Sequence, residues 1–305
     1  MSTGTGRRTV PTDAGVQSDM PISRSFLGIT AALAAAFAGV LGFAFTRDPS
    51  PLARLPSPMA AVRDAAYGPG PSHRLDVAFE PGRPRPAVVM IHPGGWMQGD
   101  KSAYHALMAE YAAFGYATVS LNFRPSGVAR FPAAIDDCRL ALRWLRANAP
   151  AYGIDPARIA VMGWSSGAHL AMLLALTDGD VQAVVAVSGV YDFLMEERGA
   201  FPNRGDDPAV VRFLGAPPRE IPDVARRASP LRHLDRDDPP MLVIHGELDR
   251  RIDAEQARHL ARALKALGRA DEVVILPGAD HGRDVLPADP SCRRRIRDFL
   301  DRRLR

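Results

Sequence analysis

Cysteine is scarce in this sequence. Its 305 residues include two cysteines, Cys138 and Cys292, and neither lies at the Cys/His spacing of a zinc site. So few cysteines exclude a small domain held together by several disulfides. The two residues are either two buried thiols or one disulfide, and neither lies in a pattern typical of a catalytic thiol. The sequence therefore predicts no metal site, and it leaves the pairing of these cysteines open.

Aromatic residues make up only 7% of the chain. The basic clusters near the C-terminus, residues 293–297 and 302–305, contain none of them, although these arginines supply much of the net charge of +4. A nucleic-acid surface would combine arginines with aromatic or groove-reading side chains. The apolar residues of this region fall instead on one face of a helix: Ile296, Phe299, Leu300 and Leu304. We therefore expect a solvated final helix and no nucleic-acid partner.

The longest uncharged stretch lies near the N-terminus. Residues 26–45 contain no charged side chain, with Arg24 before them and Arg47 after them. A buried core helix of this length usually keeps a polar face, so the stretch favours a signal peptide or a membrane anchor. The positive flank then stays inside and the rest of the chain is exported. We expect a secreted or periplasmic protein, or one in contact with the membrane through residues 26–45.

The chain is predicted to consist of an N-terminal segment, residues 1–60, and a body, residues 61–305. Residues 46–60 contain four prolines and are interpreted as a tether after the targeting or anchor segment. The body has the length of one large α/β domain. Within it, residues 191–240 are dense in proline, glycine and charge. They are expected to form either a lid over the functional site or a long surface excursion.

Apolar strands alternate with helices along the body. The predicted strands are residues 75–79, 87–91, 117–123, 159–162, 183–187, 241–245 and 273–276. The predicted helices are residues 103–114, 133–148, 166–177, 254–267 and 290–304. Continuous apolar strands between helices are typical of a mostly parallel sheet with helices on both faces. The predicted fold class is therefore α/β.

The most informative motif is Gly-Trp-Ser-Ser-Gly at residues 163–167. It follows a predicted strand and leads directly into a predicted helix. A sharp turn in this context lifts the hydroxyl of Ser165 above the sheet, and the two flanking glycines leave room for the turn. The alternative is a structural serine in a tight turn. The strand–turn–helix context favours a nucleophile.

A serine hydroxyl needs a base to take its proton and a third group to orient that base. After a turn of this kind the order along the chain is serine, acid, histidine. Asp249 and His281 each follow a predicted strand downstream of the serine. Asp253 is a rival acid, although its place at the start of the next helix is typical of a helix cap, and Glu247 is a weaker one. We predict Asp249 as the acid and His281 as the base.

A loop of sequence His-Pro-Gly-Gly-Trp, residues 92–96, follows the second predicted strand. The negative oxygen of a tetrahedral intermediate needs backbone N–H donors. Pro93 has no N–H, so Gly94 and Gly95 are the predicted donors, together with the N–H of Ser166. The alternative is a glycine turn packed under the tryptophan. Together with the serine turn, the loop favours an oxyanion hole.

Taken together, these residues resemble the α/β-hydrolase superfamily. The loop at 92–96 is similar to the His-Gly-Gly-Gly loop of esterases, with Pro93 in place of the usual glycine, and Ser166 stands where alanine is common. Other strings are similar to a carboxylesterase group that includes feruloyl- and acetyl-xylan esterases and kynurenine-formamidase-like enzymes: Gly99-Asp100-Lys101, Asn122-Phe123-Arg124 and Tyr152-Gly153-Ile154-Asp155-Pro156. The resemblance covers residues 64–305.

The resemblance implies an α/β-hydrolase fold and a serine carboxylesterase that hydrolyses short-chain acyl esters without a metal or an organic cofactor. It implies Ser165 as the nucleophile, His281 as general base and acid, and Asp249 as the residue that orients it. The implied oxyanion hole consists of Gly94, Gly95 and Ser166. The alternatives are a formamidase or peptidase-type amide hydrolase, and a non-catalytic binding protein on the same fold. No oligomeric state is predicted.

Overall fold

The computed structural model describes residues 1, 50–178, 180–195, 207–281 and 290–305. The uncharged segment 26–45 lies outside the described residues, as does nearly all of residues 1–49. Among the described residues, no helix is both long enough and apolar enough to cross a membrane.

Eight strands form one sheet within the described part of the chain. They are β1 (Ala60–Ala66), β2 (Arg74–Phe79), β3 (Arg85–Ile91), β4 (Ala117–Leu121), β5 (Ile154–Trp164), β6 (Ala183–Val187), β7 (Met241–Gly246) and β8 (Glu272–Leu276). Their order across the sheet is β1-β2-β4-β3-β5-β6-β7-β8. Strand β2 pairs antiparallel with β1 and β4, and every other neighbouring pair is parallel. The predicted mostly parallel sheet is confirmed.

Helices cover both faces of this sheet. The described helices are α1 (Ser50–Ala53), α2 (His105–Ala113), α3 (Ala133–Asn148), α4 (Ser166–Asp178), α5 (Pro208–Leu214), α6 (Pro222–Ala228), α7 (Glu255–Ala266) and α8 (Pro290–Leu304). Successive residues of a strand point to opposite faces, so Val89 belongs to one core and Met90 to the other. The core of Val89 contains buried residues of α3, α4 and α7, and the core of Met90 contains those of α2 and α8. Strands β3, β6 and β7 are mostly apolar because both of their faces are covered.

The packed body begins earlier than the sequence predicts. Residues 46–60 are predicted to be a tether, whereas α1 begins at Ser50 and β1 at Ala60. Leu52 is only 4% exposed and belongs to the same core as Met108 and Tyr111 of α2. The apolar side chains of this stretch, Leu52, Leu55 and Met59, stand among four prolines, which are typical of an irregular linker, so this packing was not predicted from the sequence.

Both cysteines are buried, and neither forms a disulfide. Cys138 of α3 and Cys292 of α8 belong to the two different cores, which lie on opposite faces of the sheet. Of the two alternatives that the sequence leaves open, two buried thiols is the one observed.

The described part of residues 191–240 packs against the body of the domain. Phe193, and Phe213 of α5, are at most 3% exposed and belong to the core that contains α4. A 3₁₀ turn, Pro230–His233, follows α6 and returns the chain towards β7. These residues therefore form a packed excursion. Residues 196–206 lie outside the described residues, so a lid function stays a prediction.

Candidate active site

Ser165 lies in a sharp turn between β5 and α4. Its φ is +57°, a backbone conformation that residues other than glycine rarely adopt. Two hydrogen bonds hold it there. The N–H of Ser165 donates to the carbonyl of Val187, the last residue of β6, at 2.9 Å, and its carbonyl accepts from the N–H of His169 at 3.1 Å. Strain of this kind is typical of functional residues, because the surrounding structure must hold it.

The two glycines beside the serine are required by close backbone contacts. A Cβ on Gly163 would lie 2.2 Å from the carbonyl carbon and oxygen of Gly167. A Cβ on Gly167 would lie 1.9 Å from the carbonyl oxygen of Ile91 in β3. Because a Cβ does not fit at either place, the Gly-x-Ser-x-Gly spacing follows from the packing of α4 against the sheet.

The structure brings Ser165, His281 and Asp249 together. The Nε2 atom of His281 lies 3.0 Å from Oγ of Ser165, and its Nδ1 atom lies 2.7 Å from Oδ2 of Asp249. All three residues are at most 7% exposed. A carboxylate only accepts hydrogen bonds, so Nδ1 of His281 carries a proton and Nε2 is free to accept the proton of the serine hydroxyl. This arrangement can activate the serine as a nucleophile.

Asp249 is held as a charged carboxylate. Its Oδ1 accepts the backbone N–H groups of Arg251 and Ile252 at 2.9 and 2.8 Å. Burial alone would raise the pKa of Asp249, but the charge of His281 and hydrogen bonds from His245 and His281 lower the pKa well below its usual range. The acid is therefore ionised at neutral pH and can stabilise a protonated His281.

The rival acids take other places. Oδ1 of Asp253 accepts the N–H of Glu255, the first residue of α7, at 2.9 Å. The exposed Glu247 accepts the N–H of Gly278 at 3.2 Å. No hydrogen bond between either carboxylate and His281 is found within the described residues, so Asp249 alone occupies the acid position there.

The backbone of His281 is fixed by a residue that sequence reasoning missed. The indole N–H of Trp164 donates to the carbonyl of His281 at 2.9 Å. On the other side, Oδ1 of Asp280 accepts the N–H of His281 at 2.7 Å. Trp164 is at the first of the two variable positions of the Gly-x-Ser-x-Gly motif. Its position directly before Ser165 is the sequence feature that could have indicated its role.

The two glycine N–H groups of the loop at 92–96 meet no acceptor in the part of the chain that the structure describes. Gly94, Gly95 and Trp96 have φ values of +137°, +60° and +60°. The carbonyl of Gly94 accepts the N–H groups of Met97 and Gln98 at 3.1 and 3.2 Å, which closes the turn. Within the described residues, the N–H groups of Gly94, Gly95 and Ser166 donate to no backbone or side-chain acceptor. They are thus available to an oxygen atom of a bound molecule.

Trp96 connects this loop to the helix that follows the serine. Its indole N–H donates to Nδ1 of His169 at 3.1 Å, and Nε2 of His169 donates to the carbonyl of Ala228 in α6 at 2.8 Å. The ring of Phe213 stacks on Trp96 with 4.6 Å between centroids. Burial lowers the pKa of His169 to about 4, so its ring is neutral at pH 7. His169 therefore has a structural role, and residues 207–233 support the loop through Phe213 and Ala228.

Among the described residues, no group of His, Cys, Asp and Glu side chains is arranged to hold a metal ion. The side chains and backbone groups that the described site offers are those of the serine, the imidazole, the carboxylate and the N–H groups described above.

The amino-acid sequence of this chain is similar to those of known proteins. Residues 75–264 match the BD-FAE family. The chain belongs to the BD-FAE family. Among its curated relatives is Esterase LipC of Mycobacterium tuberculosis, which is 34% identical over 251 residues, 73% of this chain and 60% of LipC. Esterase LipQ of the same organism is 32% identical over 249 residues, 74% of this chain and 58% of LipQ.

Solved structures show the same fold as this BD-FAE chain. A truncated carbohydrate esterase from gut microbiota superimposes with a TM-score of 0.72 at 27% identity, over 80% of this chain and 96% of that one. A bifunctional GH43-CE protein of Bacteroides eggerthii also gives a TM-score of 0.72, at 29% identity, over 80% of this chain and 38% of that one. The predicted α/β-hydrolase fold and the resemblance to carboxylesterases are confirmed. This BD-FAE chain spans about three fifths of the length of the curated relatives LipC and LipQ.

Proposed function

We propose that this protein is a serine carboxylesterase that hydrolyses short-chain acyl esters through an acyl-enzyme intermediate. The observation that carries the proposal is the hydrogen-bonded series from Asp249 through His281 to Ser165, at 2.7 and 3.0 Å. Relatives that cover most of this chain are named esterases, which supports the same chemistry here. The substrate is a small-molecule ester.

The proposed reaction has two steps. In the first, Oγ of Ser165 attacks the ester carbonyl and its proton passes to Nε2 of His281. The negative oxygen of the tetrahedral intermediate accepts from the N–H groups of Gly94, Gly95 and Ser166. The C–O bond to the alcohol then breaks, and the alcohol leaves with the proton from His281. In the second step, a water molecule loses its proton to His281 and attacks the acyl carbon. The bond from this carbon to Oγ of Ser165 then breaks, Oγ takes the proton back from His281, and the acid leaves.

The test is turnover of p-nitrophenyl acetate, butyrate and octanoate by the full chain and by Ser165→Ala. We expect serine-dependent hydrolysis that declines with acyl length, and a loss of kcat of at least about 10³-fold in the variant. Ser126→Ala is the matched control, because its buried hydroxyl has no hydrogen-bond partner among the described residues. Equal turnover by Ser165→Ala and the wild type would contradict the proposal.

The same experiment tests the two alternative functions, amide hydrolysis and non-catalytic binding. Anilides with the same acyl groups are assayed in parallel with the esters. Serine-dependent cleavage of the anilides alone would indicate an amide hydrolase. Binding of esters without turnover would indicate a non-catalytic protein on this fold.

We further propose that the protein is exported, either secreted or periplasmic after cleavage, or anchored to the membrane through residues 26–45. The uncharged run and its basic flank support this proposal. Fractionation of cells that express the full chain, followed by the intact mass of the protein, distinguishes cleavage from anchoring. Recovery of the uncleaved protein in the cytoplasmic fraction would contradict both forms of the proposal.

A further inference from the structure

His245 lies beside the acid of the active site with its imidazole fully buried. It is the second-last residue of β7 and precedes Asp249 by four positions. Its exposed fraction is 0%. A buried polar ring needs hydrogen-bond partners, so the atoms around its two nitrogens decide what it does.

The Nε2 atom of His245 faces two acceptors. It lies 2.9 Å from the carbonyl oxygen of Ile252 and 3.2 Å from Oδ2 of Asp249. Neither oxygen can donate a hydrogen bond when the carboxylate is ionised, so Nε2 carries the proton. It donates this proton to the carbonyl of Ile252, and Oδ2 of Asp249 is the second acceptor within reach. The Nδ1 atom of the same ring has no partner among the described residues. Within the described residues, the polar contacts of the imidazole of His245 are therefore confined to Asp249 and Ile252.

Oδ2 of Asp249 is also the oxygen that accepts the Nδ1 proton of His281. Its other oxygen, Oδ1, is anchored by the backbone N–H groups of Arg251 and Ile252. With Oδ1 anchored alone, the carboxylate is free to pivot about that point. A second donor on Oδ2, besides Nδ1 of His281, restrains the rotation of the carboxylate and withdraws part of its negative charge.

We infer that His245 is a positioning residue that donates Nε2–H to Oδ2 of Asp249 and thereby sets both the direction and the strength of the contact from Asp249 to His281. This inference rests on the proposed serine mechanism. The titratable groups that face the acid are His245, His281 and the buried phenol of Tyr191. Tyr191 stays neutral because burial raises its pKa, so His245 and His281 are the two residues whose donors Oδ2 shares.

The test compares His245→Phe with His245→Gln in the full chain. Phenylalanine keeps a flat ring but has no donor, whereas the glutamine amide places an N–H close to the position of Nε2. For His245→Phe we expect kcat to fall about tenfold with KM unchanged, equivalent to one hydrogen bond to a charged group. The acid limb of its pH–rate profile moves to higher pH, because a carboxylate that has lost a donor favours a protonated His281 more strongly. His245→Gln is expected to recover most of kcat and the wild-type acid limb.

A structural role alone would lower the melting temperature without moving the pH profile. An unchanged acid limb in His245→Phe, or equal losses in the phenylalanine and glutamine variants, would overturn the inference. If His245→Phe does not fold, His245→Asn replaces it, because the shorter amide does not reach Asp249.

Proton NMR separates this inference from the proposed function. The proton shared by His281 and Asp249 resonates far downfield, and its position reports the contact whether or not a substrate is turned over. We expect this resonance to shift in His245→Phe and to return in His245→Gln. Absence of Ser165-dependent turnover together with this shift would contradict only the proposed function, whereas an unmoved resonance would contradict the inference about His245.

Discussion

Trp164 and His281 are joined by a hydrogen bond from the indole N–H to the histidine carbonyl, at 2.9 Å. Trp164 directly precedes Ser165, and the two rings lie 5.7 Å apart between centroids. The strand that presents the serine thus also holds the backbone of the histidine. The distance between the side chains of Ser165 and His281 is therefore set by the buried hydrogen bond from Trp164 as well as by the loop that contains His281.

Replacing Trp164 with phenylalanine removes this donor and keeps an aromatic ring. It leaves the carbonyl of His281 without its indole partner, and we expect kcat to fall about tenfold with little change in KM. Trp144→Phe is the matched control, because Trp144 is in α3, outside the site, and no hydrogen bond of its indole N–H is found within the described residues. Steady-state kinetics with p-nitrophenyl acetate provide the measurement. Equal kcat values for the two variants would contradict the assignment.

Gly94→Ala tests the loop that presents the unbonded N–H groups. The new Cβ would lie 1.9 Å from the carbonyl oxygen of Gln98, at a φ of +137°. The loop must then move, and we expect kcat/KM to fall at least about 100-fold, the effect of losing one oxyanion donor. Gly82→Ala is the control, since Gly82 also has a positive φ of +76° but no atom within 4 Å of the added Cβ. If Gly94→Ala kept more than a tenth of wild-type kcat/KM, this loop would not be the oxyanion hole.

His169→Gln tests the neutral buried histidine through the pH dependence of stability. The folded-state pKa of His169 is about 4, below its ordinary value of 6.5. Below pH 6.5 the unfolded chain therefore binds a proton that the folded protein rejects, and stability falls as the pH drops from 6.5 towards 4. Glutamine can accept from Trp96 and donate to Ala228 without titrating.

We expect the melting temperature of the wild type to fall more steeply between pH 7 and pH 5 than that of His169→Gln. Calorimetry at several pH values measures both slopes. Parallel slopes would show that another group, such as the buried His92, accounts for the acid sensitivity.

Leu52→Ala tests the packing of residues that precede the predicted body. Leu52 is 4% exposed, and we expect its truncation to lower the free energy of unfolding by about 2 kcal/mol. Arg54→Ala is the control two residues further on, because Arg54 is exposed and such substitutions change stability by less than about 0.5 kcal/mol. Chemical denaturation of both variants gives the two values. Equal stabilities would show that α1 is not part of the folded body.

The sequence was most informative where a backbone requirement leaves few choices. The turn around Ser165 excludes side chains at Gly163 and Gly167, so the two glycines of the motif predicted the turn. Asp249 and His281 follow strands of a parallel sheet, and the carboxyl ends of parallel strands meet at one edge. The first constraint is local and the second depends on the order of strands along the chain, so both can be recognised in a single sequence.

The parts that were missed depend on contacts between distant segments. Strand β1 is mostly exposed and lacks alternation, and its pairing with β2 is what makes it a strand. The hydrogen bond from Trp164 to His281 joins residues 117 positions apart. The direction in which His245 donates depends on the fold of the loop at 249–252. No periodicity or motif predicts such contacts, because the residues around each partner show no unusual local pattern.

The two thiols on opposite faces of the sheet have a consequence for redox chemistry. Burial raises the pKa of Cys138, so little of it is the reactive thiolate. Cys292 is buried in the other core, with the whole sheet between the two sulfur atoms. An oxidant therefore cannot close an intramolecular bridge in the folded protein, and the same fold tolerates reducing and oxidising conditions alike.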